Sequence, residues 1–388
     1  MDRRNFLGAC SCCMATAALG RSLQQPGAVD LPARLPHPAP GTDEGGLWSM
    51  MDREEERLRQ SPFLVKDPAL CAYVQDLACR LGRDHCPDIR TYIVRSAHFN
   101  ANMAPNGMMQ VWTGLLLRVE NEAQLAAVIG HEIGHYAARH AVAQLKSIKS
   151  RSAFASVVGV VPLAGTLVGL GAIMGQFAYN RENERTADQI GIELMAKAGF
   201  PPQEAPKVWS NLLQELKAEQ DWTGEPASRS VLFATHPPEK ERQANLEARA
   251  KALGRADQDP RTEAYRKAMA PWRRGWFEDE FKRRKFGESL ALLGRLLAVD
   301  PLDGEVAYFQ GEAYRLRASE GDTQRAMESY QKAAGLPGVP AEVHRALGGL
   351  HRRAGHLEEM RSAYRRYLEA RPDAEDVEMI RSYLKEGS

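Results

Sequence analysis

The sequence predicts a mainly α-helical chain with a small β-sheet, arranged as a mixed domain followed by an α-solenoid. Three observations carry this. Apolar residues recur at helical spacing in most segments, as with Leu70, Val74, Leu77 and Leu81. Two short runs, Arg90 to Val94 and Met108 to Trp112, read as strands separated by a turn rich in Asn and Pro (Asn100 to Gly107). In the last third, Gly, Tyr and Pro return at offsets close to those of a helix-pair repeat.

With 388 residues, 44% hydrophobic and 26% charged, the chain can bury a sizeable core and form two domains. A formal net charge of +1 leaves no electrostatic footprint for nucleic acid, so no nucleic-acid partner is expected. The basic run Lys282 to Lys285 sits beside Glu278, Asp279 and Glu280 and reads as a solvated helix face.

Residues 1–20 read as a targeting segment. Arg3-Arg4-Asn5-Phe6-Leu7 matches a twin-arginine export signal, followed by a short apolar stretch with small residues near Ala15 and Ala17. Leu7-Gly8-Ala9-Cys10 also resembles a lipobox, but hardly any apolar segment precedes Cys10. A cleaved export signal and a periplasmic location are therefore expected over a lipoprotein anchor. Cys10, Cys12 and Cys13 would leave with the signal. Cys71, Cys79 and Cys86 remain, with Cys79–Cys86 a candidate bridge across a helix end. Residues 21–45, with Pro26, Pro32, Pro36, Pro38 and Pro40, suit an extended linker. Helices are expected from about Leu47 to Arg59 and after Asp67-Pro68.

The two strands lead into a helix expected from Asn121 to about Ser147, which carries His131-Glu132-Ile133-Gly134-His135. On a helix this HExxH pattern sets two imidazoles one turn apart on one face, with a carboxylate between them. Two histidines and a further carboxylate hold a zinc ion while leaving one position for water. Glu132 would then take the proton as that water attacks a peptide carbonyl. A strand before such a helix can take an extended substrate on its edge through backbone hydrogen bonds, although a plain hairpin accounts for the order equally well. His140 lies five residues past His135, about 140° round a continuous helix, and is expected to face away and be structural.

The apolar run 152–179 contains Pro162 and five glycines. It is long enough to span a bilayer, but its composition suits a buried segment over the cleft or a peripheral membrane contact. Next comes NRENERTADQIG. Glu184 and Asp188, four apart, share a helix face, whereas Glu182 lies about 160° from Glu184. The pairing makes Glu184 the third ligand and Asp188 the group that orients a ligating histidine. Taken alone, this stretch reads better as a charged helix salt-bridged to Arg181 and Arg185.

HEIGH followed about fifty residues later by ExxAD resembles one group of gluzincin metallopeptidases. The group includes HtpX, the Oma-type mitochondrial protease and the CAAX prenyl endopeptidase. The likeness runs from about Asn100 to Asn245 and takes in FNANMAPNGMMQVWTGLL before the first motif. It also takes in Thr235-His236-Pro237 with Arg242, which match a THP…R element of the group. The resemblance implies a zincin-like domain and one zinc ion per chain. Its ligands would be His131, His135 and Glu184, with Glu132 as base and Asp188 behind a ligand. It places His236 and Arg242 where they polarise the scissile carbonyl or stabilise an oxyanion, or has His236 ligate zinc in a latent state. The group's soluble periplasmic branch, typified by BepA, joins such a peptidase to helical repeats.

The C-terminal third fits that branch. Gly348, Gly355, Tyr364 and Pro372 match the offsets of a tetratricopeptide repeat. Gly311, Tyr314, Ala326, Tyr330 and Ala333 fit a preceding copy with about three residues inserted in its turn. A non-repeating helical bundle is the competing architecture. The expected organisation is a peptidase domain at 46–253 and a repeat domain at 260–388. The expected function is zinc-dependent cleavage of exposed segments in misfolded or stalled envelope proteins. Protein clients, and envelope-assembly machinery through the repeats, are the expected partners. The alternative is a chaperone or assembly factor with weak or latent protease activity.

Overall fold

Helix-forming segments dominate, and several begin where a short polar side chain takes up a free backbone N–H, as at Thr42, Asp67, Asn121, Asn180 and Asp303. The computed structural model describes residues 31–34, 36–149, 179–225, 236 and 240–385. The expected export signal and all of the apolar run except Tyr179 lie outside the described residues, as do Thr235 and Pro237. Helix α1 (Asp43–Arg59) is capped by Thr42, whose hydroxyl accepts from Gly45 N, and begins four residues before the expected start at Leu47. The described part of the preceding segment lies along the fold. The carbonyl of Pro32 meets His85 Nε2 at 2.7 Å, and Arg34 pairs with Asp88. Helix α2 (Pro68–Gly82) has Asp67 as its cap and Pro68 in its first turn, and buries Leu70, Val74, Leu77 and Leu81. The Cys79–Cys86 disulfide closes across its end, and Cys71 is a free, half-buried thiol.

Strands β1 (Arg90–Val94), β2 (Ala101–Met103) and β3 (Met108–Trp112) form one sheet in the order β1-β3-β2. The two predicted strands are not a hairpin. They pair in parallel, with Arg90 opposite Met108 and Val94 opposite Trp112. The third strand lies inside the stretch read as a turn and pairs antiparallel to β3, Ala101 opposite Val111. A parallel pair needs a crossover, and the chain uses it to lay down this edge strand. The turn itself shrinks to Ala104–Gly107, where Gly107 has φ 89° and a Cβ would fall 2.0 Å from the carbonyl of Asp88.

Helix α3 (Thr113–Arg118) leads to α4 (Glu122–Ala137), capped by Asn121 on Gln124 N. The long helix expected here breaks. Arg139 takes φ 57°, and a new helix, α5 (His140–Lys149), departs from it. Helix α6 (Arg181–Lys197) then crosses α4 closely. Glycine permits the approach: a Cβ on Gly130 would sit 2.9 Å from the carbonyl of Gly191, and one on Gly134 would sit 2.8 Å from that of Ala187. The glycines inside HEIGH and ADQIG thus bring both motifs to one crossing.

Helices α7 (Glu204–Thr223) and α8 (Lys240–Leu253) flank that crossing. Beyond the non-helical residues 254–261, α9 (Thr262–Lys282) and α10 (Phe286–Val299) are followed by the pair α11 (Gly304–Arg317) and α12 (Asp322–Ala334). A second pair follows, α13 (Glu342–Ala354) and α14 (Leu357–Ala370), and then α15 (Val377–Leu384). Both pairs use the same contact. Gly311 leaves room for the ring of Tyr330, and Gly348 does so for Tyr364; a Cβ would lie 2.5 and 2.4 Å from those rings. Among the described residues no helix is long and apolar enough to cross a membrane.

Candidate metal centre

The crossing of α4 and α6 collects the chemistry. His131 and His135, one turn apart, face each other with 3.0 Å between their Nε2 atoms. Glu184 rises from α6, with Oε1 3.4 Å from His135 Nε2 and Oε2 3.6 Å from His131 Nε2. His236 closes the cluster: its Nδ1 is 3.0 Å from Glu184 Oε1 and 3.3 Å from His131 Nε2. All four residues are buried, and one ligand atom from each lies within 4.8 Å of the others.

This donor set fits a zinc ion. Tetrahedral bonds of about 2.0–2.1 Å put neighbouring ligand atoms roughly 3.3–3.4 Å apart, and the separations above bracket that value. Imidazoles and a carboxylate are also the ligand types zinc takes.

Surrounding groups fix the orientation of these side chains. Asp188 Oδ1 sits 2.9 Å from His131 Nδ1, which leaves Nε2 of that ring for a metal. Arg242 reaches in from α8. Its Nε and Nη2 donate to the two oxygens of Asp188 at 2.7 and 2.8 Å, and Nη1 lies 2.8 Å from Glu184 Oε2. The indole of Trp209, on α7, covers the guanidinium with 3.8 Å between Cζ and the ring centroid. Tyr179 stacks on His135 with ring centroids 3.9 Å apart.

His140 does not face away from the site. The reversal at Arg139 folds it back so that its Nδ1 lies 2.8 Å from His135 Nδ1. The angular argument assumed an unbroken helix, and the break removes its basis. His140, Tyr179 and Trp209 are the neighbours that sequence reasoning missed. None of the three carries a sequence signal: Ala137, Ala138 and Arg139 are good helix formers that give no warning of the break before His140, and Tyr179 and Trp209 show no informative spacing.

Electrostatics divide the carboxylates. Burial pushes Glu132 above its ordinary value, with His236 and His131 opposing. Burial acts on Glu184 too, but His236, His135 and His131 outweigh it and hold its carboxyl well below the usual range. Burial likewise disfavours charge on Asp188, and Arg242 and His131 more than offset it. Burial lowers His135 strongly and takes His140 down to about 4. His236 goes the other way, raised by Glu184 and Glu132 against its own burial. Glu132 Oε1 faces His236 Nε2 at 3.7 Å, so His236 presents one nitrogen to Glu184 and His131 and the other to Glu132.

Residues 65–250, which contain the whole cluster, match peptidase family M48. The chain is 29% identical to the putative beta-barrel assembly-enhancing protease of Vibrio cholerae over 210 residues, 50% of this chain and 42% of that one. It is 29% identical to the beta-barrel assembly-enhancing protease of Escherichia coli K12 over 239 residues, 56% of this chain and 47% of the other. Against the mitochondrial metalloendopeptidase OMA1 of Arabidopsis thaliana, identity is 32% over 175 residues, 44% and 34% of the two chains. The chain thus spans about half the length of the curated relatives it matches, or less. With paired histidines, a third carboxylate and the motif glutamate at one buried crossing, the chain carries a metallopeptidase domain of family M48 in residues 65–250.

Proposed function

We propose that the chain is a zinc-dependent endopeptidase of the bacterial periplasm that cuts exposed segments of misfolded or stalled envelope proteins. One observation carries the reading: His131, His135 and Glu184 hold tetrahedral spacing beside the buried carboxyl of Glu132. In this reading those three residues are the ligands. A zinc ion held there supplies Lewis acidity, lowering the pKa of a water molecule and polarising a peptide carbonyl. Glu132, raised by burial, accepts the proton from the attacking water and returns it to the leaving amine.

Asp188 keeps His131 in the tautomer that frees Nε2. Arg242 acts by holding Asp188 and Glu184, because Nε and both Nη atoms face those carboxylates; an oxyanion contact would require it to leave them. His236 occupies the fourth donor position, which supports a latent state in which its ring must swing aside before substrate enters. Strand β2 offers the edge for an extended substrate. Its Met103 shares one small cavity with His135 and Tyr179.

The proposed organisation has the peptidase at 46–253 and tetratricopeptide-like repeats at 260–388. The repeated glycine–tyrosine contact of the two helix pairs supports it. The repeats would recruit protein clients or envelope-assembly machinery, as the names of the Vibrio and Escherichia relatives suggest. The same repeats support a second reading, a client-binding assembly factor whose cleavage is held latent. Purified protein and its Glu132→Gln form, each incubated with a reduced, unfolded test protein, separate the two. Cleavage by the native form only, with loss of at least about 10³-fold in the variant, is expected for the peptidase. Equal, undetectable cleavage by both zinc-loaded forms leaves the assembly factor.

A further inference from the structure

Helix α7 contributes no donor to the metal cluster, yet it touches the cluster near one end and the C-terminal helices near the other. Trp209 sits on its N-terminal half. The half-buried indole lies over Arg242 and 6.2 Å from the ring of His131, centroid to centroid. With Ala127, Val128 and Val208 it also walls a small cavity beside His131.

The edges of the Arg242 guanidinium are engaged by Asp188 and Glu184. Edge contacts fix a planar fork within its plane but do little to stop it tipping out of that plane. A flat ring against one face does stop it, and the attraction between cation and indole strengthens where water is excluded. The indole is itself held in place by the far half of its helix. Glu215 accepts from Arg118 Nε at 2.7 Å and pairs with Arg295. Glu219 accepts from the backbone of Gly287 at 2.8 Å, at the start of α10.

We propose that Trp209 is a positioning residue for the metal centre. It keeps Arg242 in the plane of Asp188 and Glu184, and through them keeps His131 and Glu184 turned toward the ion. The assignment rests on the metallopeptidase reading above, and its test separates the two.

The full chain is loaded with zinc, and transfer of zinc to a chromogenic chelator is followed for the native protein, Trp209→Ala, Trp209→Phe and Leu216→Ala. Trp209→Ala should release zinc about tenfold faster than the native protein, and Trp209→Phe, which keeps a ring over the guanidinium, within about threefold. Leu216→Ala removes a buried side chain from the same helix; it should lower the melting temperature yet release zinc at nearly the native rate. In an Arg242→Lys background, Trp209→Ala should add less than about twofold, because its route runs through the guanidinium. A native chain that takes up no zinc overturns both readings. A native chain that holds zinc, with Trp209→Ala releasing it at the native rate or Leu216→Ala releasing it as fast as Trp209→Ala, overturns this one alone.

Discussion

At the scale of single residues, Arg139 decides more than its neighbours. A non-glycine residue at φ 57° is uncommon, and here it is held by an ion pair with Glu44 of α1. It turns the chain so that His140 meets the far nitrogen of His135. Burial leaves His140 neutral at physiological pH, so the two rings share a single hydrogen bond that fixes which nitrogen of His135 faces the cluster. His140→Ala should therefore weaken zinc binding by about 10–100-fold in a chelator competition, with His140→Asn recovering part of the loss. Unchanged affinity in His140→Ala would reduce the contact to packing. The ligand candidates themselves were legible in the sequence because a helical turn dictates that residues four apart share a face. His140 was not legible, because its position depends on one left-handed residue that interrupts the period.

Among the elements, α2 was readable from apolar spacing and its cap: it begins and buries its face where Asp67-Pro68 and the leucines placed it. Strand β2 was hidden because three residues show no period, and its identity as a strand comes from pairing with β3 rather than from its own sequence. Helix α12 shows a further device that pairing creates. Asp322 accepts from Arg317 Nε and Nη2 at 2.8 and 2.7 Å, from Ser319 N at 2.9 Å and from Arg325 at 3.0 Å. The bonds from Arg317 come first in lowering its carboxyl to about 2, against the cost of burial. A folded value below the unfolded one means the stabilisation is complete above about pH 4 and is lost as pH falls through about 2. Allowing for solvent screening, it amounts to about 1–2 kcal/mol. Asp322→Asn should lower unfolding free energy by that amount at pH 7 and by little near pH 2, as read by denaturant titration at both values. An equal loss at both pH values would point to lost packing instead.

For the whole molecule, the organising contact is a buried charge that no sequence pattern announces. Arg118, fully enclosed, joins Glu215 of α7 to Glu280 of α9 at 2.7 Å each, across separations of 97 and 162 residues. Arg295 of α10 adds Glu120 and Glu215 to the same network, and Tyr265 donates to the carbonyl of Leu116. Leaving any one of these charges unpaired in the interior is costly, so the C-terminal helices help to hold the peptidase helices in place. Local spacing is blind to such a seam, because its partners lie far apart in the sequence and meet only once the fold has formed. The seam, the glycine crossing and the paired motifs all serve one claim: that this fold holds a zinc ion between His131, His135 and Glu184. Metal analysis of the purified chain beside Glu184→Ala, after removal of loosely bound ions, tests it most directly. One zinc per native chain, with the variant retaining less than about a tenth of it, is the predicted result; a variant that keeps its zinc, or a folded native chain that binds none, contradicts it.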